Sequence, residues 1–272
     1  MPLEPPEIAL RAEIAALEQL LEIQERTVAE QTERMEIQSA ELSRSNHALE
    51  QFAYVISHDL QEPLRMVAAF TELLREKYRG KLDAEADKYI DFASGGARRM
   101  QEMINGLLDY SRITTRGKDF TVVRLDEVLD EALLNLSVSV EESRATIKRE
   151  PMPAIAGDRV QLIRLVQNLV GNALKFHEPD RPPEVAIRVG RDDEGRLDLM
   201  VSDRGIGIDP RHHARIFEVF RRIHPKRFAG TGIGLSICQR IAERHGGSIR
   251  VESSVGEGST FHVTLRTAEE KS

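Results

Sequence analysis

Cysteine is almost absent from this sequence: Cys238 is the only one in 272 residues. That excludes an intrachain disulfide and a multi-thiolate metal site, and it fits a reducing, cytoplasmic compartment in which a lone thiol packs in a core. Long apolar runs are missing too. No stretch approaches the roughly 18 residues that span a bilayer, and the opening MPLEPPEIALRAE lacks the basic and apolar regions of a secretory signal. Positive charge is in deficit, with 38 Lys and Arg against 45 Asp and Glu, and the net charge of −7 argues against a nucleic-acid binder. A GKS or GKT tripeptide is lacking as well, so a Walker-type loop is excluded. What remains, at 40% apolar content, is a soluble chain able to bury a real core.

From Ile14 an apolar residue returns at every seventh position, through Leu21, Val28, Met35, Leu42, Leu49 and Ile56. This is a heptad a-frame. The companion d positions are Leu10, Leu17, Gln24, Gln31, Gln38, Ser45 and Phe52, apolar at both ends and polar between. One apolar residue per heptad buries too little to hold a lone surface helix, so residues 1–50 are expected to form a parallel dimeric coiled coil. Past Ile56 the frame places Asp59 and Pro63 in the seam, and the helix must change partners. Its stripe becomes Leu60, Leu64, Val67, Phe70, Leu73 and Leu74, with a bend expected near Pro63.

Gly80 and Asp83 mark a turn, after which a second helix is predicted through Tyr89, Ile90, Ala93, Ala97, Met100, Met103, Ile104, Leu107 and Leu108. Residues 51–115 thus read as an antiparallel helical hairpin. Two copies, brought together by the coil, would complete a four-helix bundle. Beyond the polar linker TTRGKD, residues 119–268 alternate helical segments (Leu125–Glu142, Arg159–Lys175) with short β-branched runs (Val185–Val189, Leu197–Val201, Ser248–Val251, Thr260–Leu265). This is a mixed α/β domain.

Four elements of that domain carry chemistry: NLVGNALKF at 168–176, DRGIGID at 203–209, IFEVF at 216–220 and GTGIGLSI at 230–237. A glycine-rich loop feeding a helix offers free backbone N–H groups to phosphate. Asn168, Asn172 and Lys175 share one helix face, where amide oxygens suit magnesium and the lysine supplies a point charge. Asp203, at a strand end followed by Gly205 and Gly207, offers a carboxylate to an exocyclic amine where the backbone approaches a flat ligand. Each element alone also reads as a polar helix face or an ordinary turn.

With FAYVISHDLQEPLRMV upstream, the five boxes in this order resemble the transmitter core of sensor histidine kinases of two-component systems, and SHDLQEPLR looks like the phytochrome-related branch. The resemblance covers Leu49 to Leu265. It implies an α/β sandwich ATP-binding domain of the histidine kinase, chaperone and topoisomerase type, and an ATP-dependent protein-histidine kinase that phosphorylates His58 and passes the phosphoryl group to an aspartate of a response regulator. It further implies that Asn172 holds Mg2+ beside Asn168, Lys175 contacts phosphate and Phe176 lines the base pocket. Asp203 would read the adenine amine, with Gly205 and Gly207 admitting the base. Gly230, Thr231, Gly232, Gly234 and Leu235 would form the phosphate loop, and 208–229 a lid in which Lys226 or Arg227 reaches the transferring phosphoryl group.

His58 falls at a solvent-facing c position of the frame, open to a visiting domain. Its neutral imidazole can attack phosphorus from one nitrogen if something takes the proton on the other. The family pattern assigns that base to the adjacent Asp59, whereas helix geometry puts Glu62, four residues on, over His58. Relatives carry Asn or Thr at the Glu62 position to place water for dephosphorylating the partner, so a carboxylate there puts phosphatase activity in question. A nucleotide-binding scaffold without catalysis is disfavoured by the intact boxes, and a mechanical ATPase by the histidine hairpin. With only 13 residues ahead of the coil, input is expected through the coil from a sensor domain or separate protein.

Overall fold

The computed structural model describes residues 5–115, 119–192, 194–223, 227–228 and 230–266; within its helices, the side chains of 5–18, 42–43, 45–50, 52–54, 58 and 114–115 are outside the described set. The chain divides into two compact units, residues 1–52 and 53–272. In the first, the opening part of helix α1 (Pro5–Tyr78) presents Leu21, Val28 and Met35, three successive a positions, to solvent. Ile14, Leu42 and Leu49 lie outside the described side chains.

In the second unit α1 continues through Pro63 to Tyr78, so the proline is accommodated without ending the helix. The return helix α2 (Ala84–Thr115) begins where the turn was predicted, with Asp83 accepting from the Ala86 N–H at 2.7 Å. Gln61 donates to Asn105 at 2.8 Å, and Ser94 to Glu72 at 2.8 Å. The pairs 61 with 105 and 72 with 94 fix an antiparallel register. Leu64, Ala97 and Leu108 are buried, while Leu60, Val67, Phe70, Leu73, Leu74, Tyr89 and Met100 remain exposed.

The α/β part is a two-layer sandwich. Strands β1 (Thr121–Arg124) and β3 (Ala154–Gly157) form a small antiparallel pair. The main sheet runs β2 (Thr146–Arg149), β4 (Glu184–Arg191), β5 (Leu197–Asp203), β7 (Gly258–Leu265), β6 (Ile249–Ser254), with only the β2–β4 contact parallel. Strand alternation sends Ile187, Leu199, Val201, Phe261 and Val263 inward, against helices α3 (Leu125–Asn135), α5 (Arg159–Lys175) and α6 (Gly234–Arg244). The helix expected over Leu125–Glu142 is instead two, because Leu136 interrupts it before α4 (Ser137–Ser143). In α5 the buried Leu162, Leu165, Val166, Leu169, Val170 and Ala173 recur at spacings of three and four, and Asp158 caps its start by accepting from the Val160 and Gln161 N–H groups. Cys238 is fully buried, its Sγ near the Leu165 carbonyl at 3.8 Å, and burial pushes the thiol well above its ordinary value. Among the described residues, no helix is long and apolar enough to cross a membrane.

Candidate functional site

The C-terminal half of α5, the end of β5 and the loop entering α6 enclose a cavity of about 280 Å³. Residues predicted from separate stretches of sequence meet there. Asn168, Asn172, Lys175 and Phe176 line it from α5, Asp203 and Gly207 from the end of β5 and the turn after it, and Gly230, Thr231, Gly232, Gly234 and Leu235 from the glycine loop and the first turn of α6.

Each position has a local cause. Asn168 donates to the Arg164 carbonyl at 3.0 Å, an arrangement that turns its Oδ1 toward Gly234, where a Cβ would come within 2.9 Å. Lys175 lies over the Phe176 ring at 4.7 Å. Its ammonium is held below the ordinary lysine value, first by burial and then by Arg222, while Glu102 of α2 acts in the opposite direction. Phe176 meets Phe228 edge-on at 4.9 Å, closing one wall. Asp203 Oδ1 accepts from the Gly205 N–H at 2.8 Å and the Ser259 N–H at 3.2 Å. Both bonds fall on one oxygen, so Oδ2 is placed for a ligand. Burial outweighs those bonds and pushes the carboxyl up to about 6.

Two glycines are dictated by geometry. A Cβ on Gly205 would stand 2.2 Å from the Phe176 carbonyl oxygen, so only glycine lets the turn after β5 close on the end of α5. Gly232, at φ +78°, would place a Cβ 2.6 Å from the Arg221 carbonyl. The opposing turn is itself unusual, since Phe220 sits in the left-handed region at φ 65°.

The sequence reading missed part of the wall. Ser259 and Phe261 line the cavity outside every segment expected at the site, and Ile206, within DRGIGID, and Arg221, Arg222 and Ile223, within the expected lid, line it without having been singled out. Arg221 and Arg222 directly follow IFEVF, and a basic pair abutting an apolar box was the available signal; Ser259 and Phe261 left none beyond strand alternation. Arg227, expected at the phosphates, does not line the cavity: its guanidinium pairs with Glu178 at 2.7 Å, and a competing carboxylate holds it aside. Lys226 and Ala229 lie outside the described residues, as does the side chain of His58. Its neighbours Asp59 and Glu62 are exposed, and Ser57 is buried.

The donor set suits a magnesium nucleotide. Amide oxygens on α5, a lysine and a glycine loop match what a hard cation shared with phosphate requires, and the apolar slot ending at Asp203 matches a purine. Among the described residues there is no cluster of three His, Cys, Asp or Glu side chains.

Residues 157–269 match the family model of histidine kinase-, DNA gyrase B- and HSP90-like ATPases, and residues 48–116 match that of the His Kinase A (phospho-acceptor) domain. The chain belongs to the sensor histidine kinases. Its relatives within that family include phytochrome-like proteins. It is 41% identical to the phytochrome-like protein Cph1 of Synechocystis over 88% of this chain and 32% of that protein, and 43% identical to cyanobacterial phytochrome A of Nostoc over 83% and 29%. This histidine kinase chain therefore spans about a third of the length of the curated relatives it matches. Among solved structures it resembles full-length ShkA in complex with AMPPNP, with a TM-score of 0.59 at 27% identity over 80% of this chain and 46% of that one. Acinetobacter baumannii AdeS, at 15% identity and a TM-score of 0.53 over 78% and 98%, shares the fold.

Proposed function

We propose that the chain binds Mg-ATP in the cavity between α5 and the glycine loop, transfers the γ-phosphoryl group to His58, and passes it on to an aspartate of a response regulator. The observation that carries this reading is the convergence of Asn168, Asn172, Lys175 and Asp203 on one cavity in a chain that also has a phosphoacceptor hairpin. Asp203 Oδ2 accepts from the adenine amine, and Phe176 and Phe261 flank the ring. Lys175, with Arg221 and Arg222, faces the phosphates. Asn172, with Asn168 beside it, holds magnesium, which neutralises charge developing on the phosphate oxygens.

In the transfer step one imidazole nitrogen of His58 attacks the γ-phosphorus. An N–P bond forms, the bond from phosphorus to the β,γ-bridging oxygen breaks, and ADP leaves with that electron pair. Asp59 takes the proton from the other ring nitrogen. Glu62 stays in reserve for that task, and its negative charge disfavours a phosphatase reaction at the same place.

The exposed stripe from Val55 to Leu74 supports a homodimer in which two hairpins form a four-helix bundle, continued by the exposed a positions of the coil. A sensor domain or protein acting through the coil supplies the input. Incubation with γ-labelled ATP and magnesium tests the reading. An acid-labile, base-stable label is expected on the wild type and absent from His58→Ala and Asn172→Ala; label persisting in His58→Ala would overturn it.

A further inference from the structure

Ser253 is not part of the cavity wall, yet two parts of that wall hang on its hydroxyl. It is half-buried near the end of β6, on the side of the strand that carries Ile249 and Val251. Its hydroxyl donates to the Gly258 carbonyl at 2.7 Å and accepts from the Ile208 N–H at 2.8 Å, and the Ser259 hydroxyl lies 2.9 Å away. A hydroxyl has one hydrogen and two lone pairs. With its hydrogen on Gly258 and one lone pair on Ile208, Ser253 can take its third partner only as an acceptor, so Ser259 donates to it.

The direction of that bond reaches the site. Ser259 lines the cavity opposite Asp203 in the β5–β7 ladder, and its own N–H holds Asp203 Oδ1. With its hydrogen turned away to Ser253, Ser259 has only lone pairs left for the cavity. The other branch reaches Ile208, which also lines the cavity and opens the segment 208–229 expected to close over the nucleotide. The turn between Asp203 and Ile208 is clasped from two sides: the Ile206 N–H donates to the Phe176 carbonyl at 3.0 Å, and the Ile206 carbonyl accepts from the Gly256 N–H at 2.8 Å.

We propose that Ser253 is a positioning residue that keeps the base pocket free of donors and anchors the start of the lid to it. The exocyclic amine is the only hydrogen-bond donor on the pairing edge of adenine, so a pocket offering acceptors alone depends on that amine. Without the Ser253 hydroxyl, Ser259 is free to turn its hydrogen into the cavity and donate to a ring nitrogen, which a purine lacking the amine also has. Ile208 then loses its partner at the same time, and base and lid are uncoupled. This role rests on the nucleotide site proposed above.

Calorimetric titration of the full chain with Mg-ADP and with the Mg complex of purine riboside diphosphate, which carries hydrogen in place of the amine, tests it. The work is done at pH 8, well above the Asp203 value of about 6, so that the carboxylate is ionised. The wild type is expected to prefer ADP by at least about tenfold, Ser253→Ala by under about threefold, and Ser253→Thr, which restores the hydroxyl, by the wild-type factor. Ser253→Cys fills the same space with a weak acceptor, is expected to follow Ser253→Ala, and replaces it should the alanine variant not fold. Hydrogen exchange reads the second branch: ADP is expected to slow exchange over residues 208–211 at least about fivefold in the wild type and under about twofold in Ser253→Ala. A wild type without preference, both ligands weakened equally in Ser253→Ala, a preference that Ser253→Thr does not restore, or ADP slowing exchange equally in wild type and Ser253→Ala would each overturn the role. If the wild type binds neither ligand, this role and the kinase reading fall together. If it binds ADP, loses it in Asn172→Ala and keeps its preference in Ser253→Ala, the role of Ser253 alone falls.

Discussion

Leu165 and Leu169 of α5 are fully buried, whereas Phe70 and Leu73 of α1, side chains of the same kind on an equally regular helix, are 65% and 57% exposed. The nucleotide domain covers its own apolar face with a five-stranded sheet. The hairpin has two helices and so cannot enclose a stripe that wraps around both. Closure within the chain means stability that depends on this chain alone; an open stripe means stability that depends on concentration. Changes in α5 and in α1 should therefore fail in different ways, one by unfolding and the other by dissociation.

The largest effect is expected where the stripe is widest. Phe70→Glu removes an aromatic that each copy would bury in the bundle and puts a charge in its place. At about 2–3 kcal/mol per buried side chain, counted twice in a symmetric pair, dimer affinity should fall at least a thousandfold. Sedimentation should show monomers, with the thermal transition of the nucleotide domain unmoved; a dimer that survives would mean that the stripe is covered by something other than a second copy. Leu169→Ala should do the reverse. A cavity at a fully buried leucine costs about 2–5 kcal/mol, which lowers the melting temperature and leaves the hairpin able to dimerise.

Asp203 sharpens the contrast by showing what the closed domain gives up for function. Its folded carboxyl titrates near 6 against an ordinary 3.8. As pH rises across that window the unfolded chain releases its proton first, so the folded state loses stability, up to roughly 3 kcal/mol by neutrality. Asp203→Asn keeps an oxygen for the Gly205 and Ser259 N–H groups and removes the charge. The variant should melt higher than wild type at pH 7, no differently at pH 3, and bind AMPPNP at least tenfold more weakly. A variant that is less stable at neutral pH would refute the burial argument.

The two regions also differed in how plainly the sequence spoke. Heptads and the broader stripe after Ile56 were legible because one periodicity holds over many turns, and Asn168, Asn172 and Lys175 because a single helix face carries them. Strands β1, β2 and β3 are four residues each, too short for alternation to rise above noise, and none was predicted. The break at Leu136 has no proline or glycine to announce it. Gly106 and Asp109 look like ordinary helix residues until the fold brings Ile233 and Arg164 against them. Arg227 looked suitable for phosphate because it borders the glycine loop, but Glu178 is 49 positions away in sequence and only the folded chain pairs them.

The smallest expected effect lies where the closed domain meets the segment leaving the hairpin. His245 is buried at the end of α6; Nε2 accepts from the Asp158 N–H at 3.0 Å and Nδ1 donates to the Ile241 carbonyl at 2.8 Å, a pairing that requires the neutral ring. Phe120 stacks on it at 4.5 Å, and Arg244 lies over Phe120 while pairing with Asp158 at 3.2 Å. Burial is the main force holding the imidazole below its ordinary 6.5; Arg244 acts the same way, and the Ile241 carbonyl and Asp158 oppose them. The folded state therefore declines a proton that the unfolded chain accepts. Stability from this group is complete above pH 6.5 and is lost as pH falls through the lower folded value. His245→Gln, whose amide can still bridge toward the Asp158 N–H, should flatten that part of the acid limb. Asp158→Ala removes the cap of α5 and the partner of Arg244 together, and should cost at least about 1 kcal/mol while leaving the acid limb in place. Melting curves between pH 5 and 8 separate the two. An acid limb that stays steep in His245→Gln would assign it to other groups and leave His245 as packing alone.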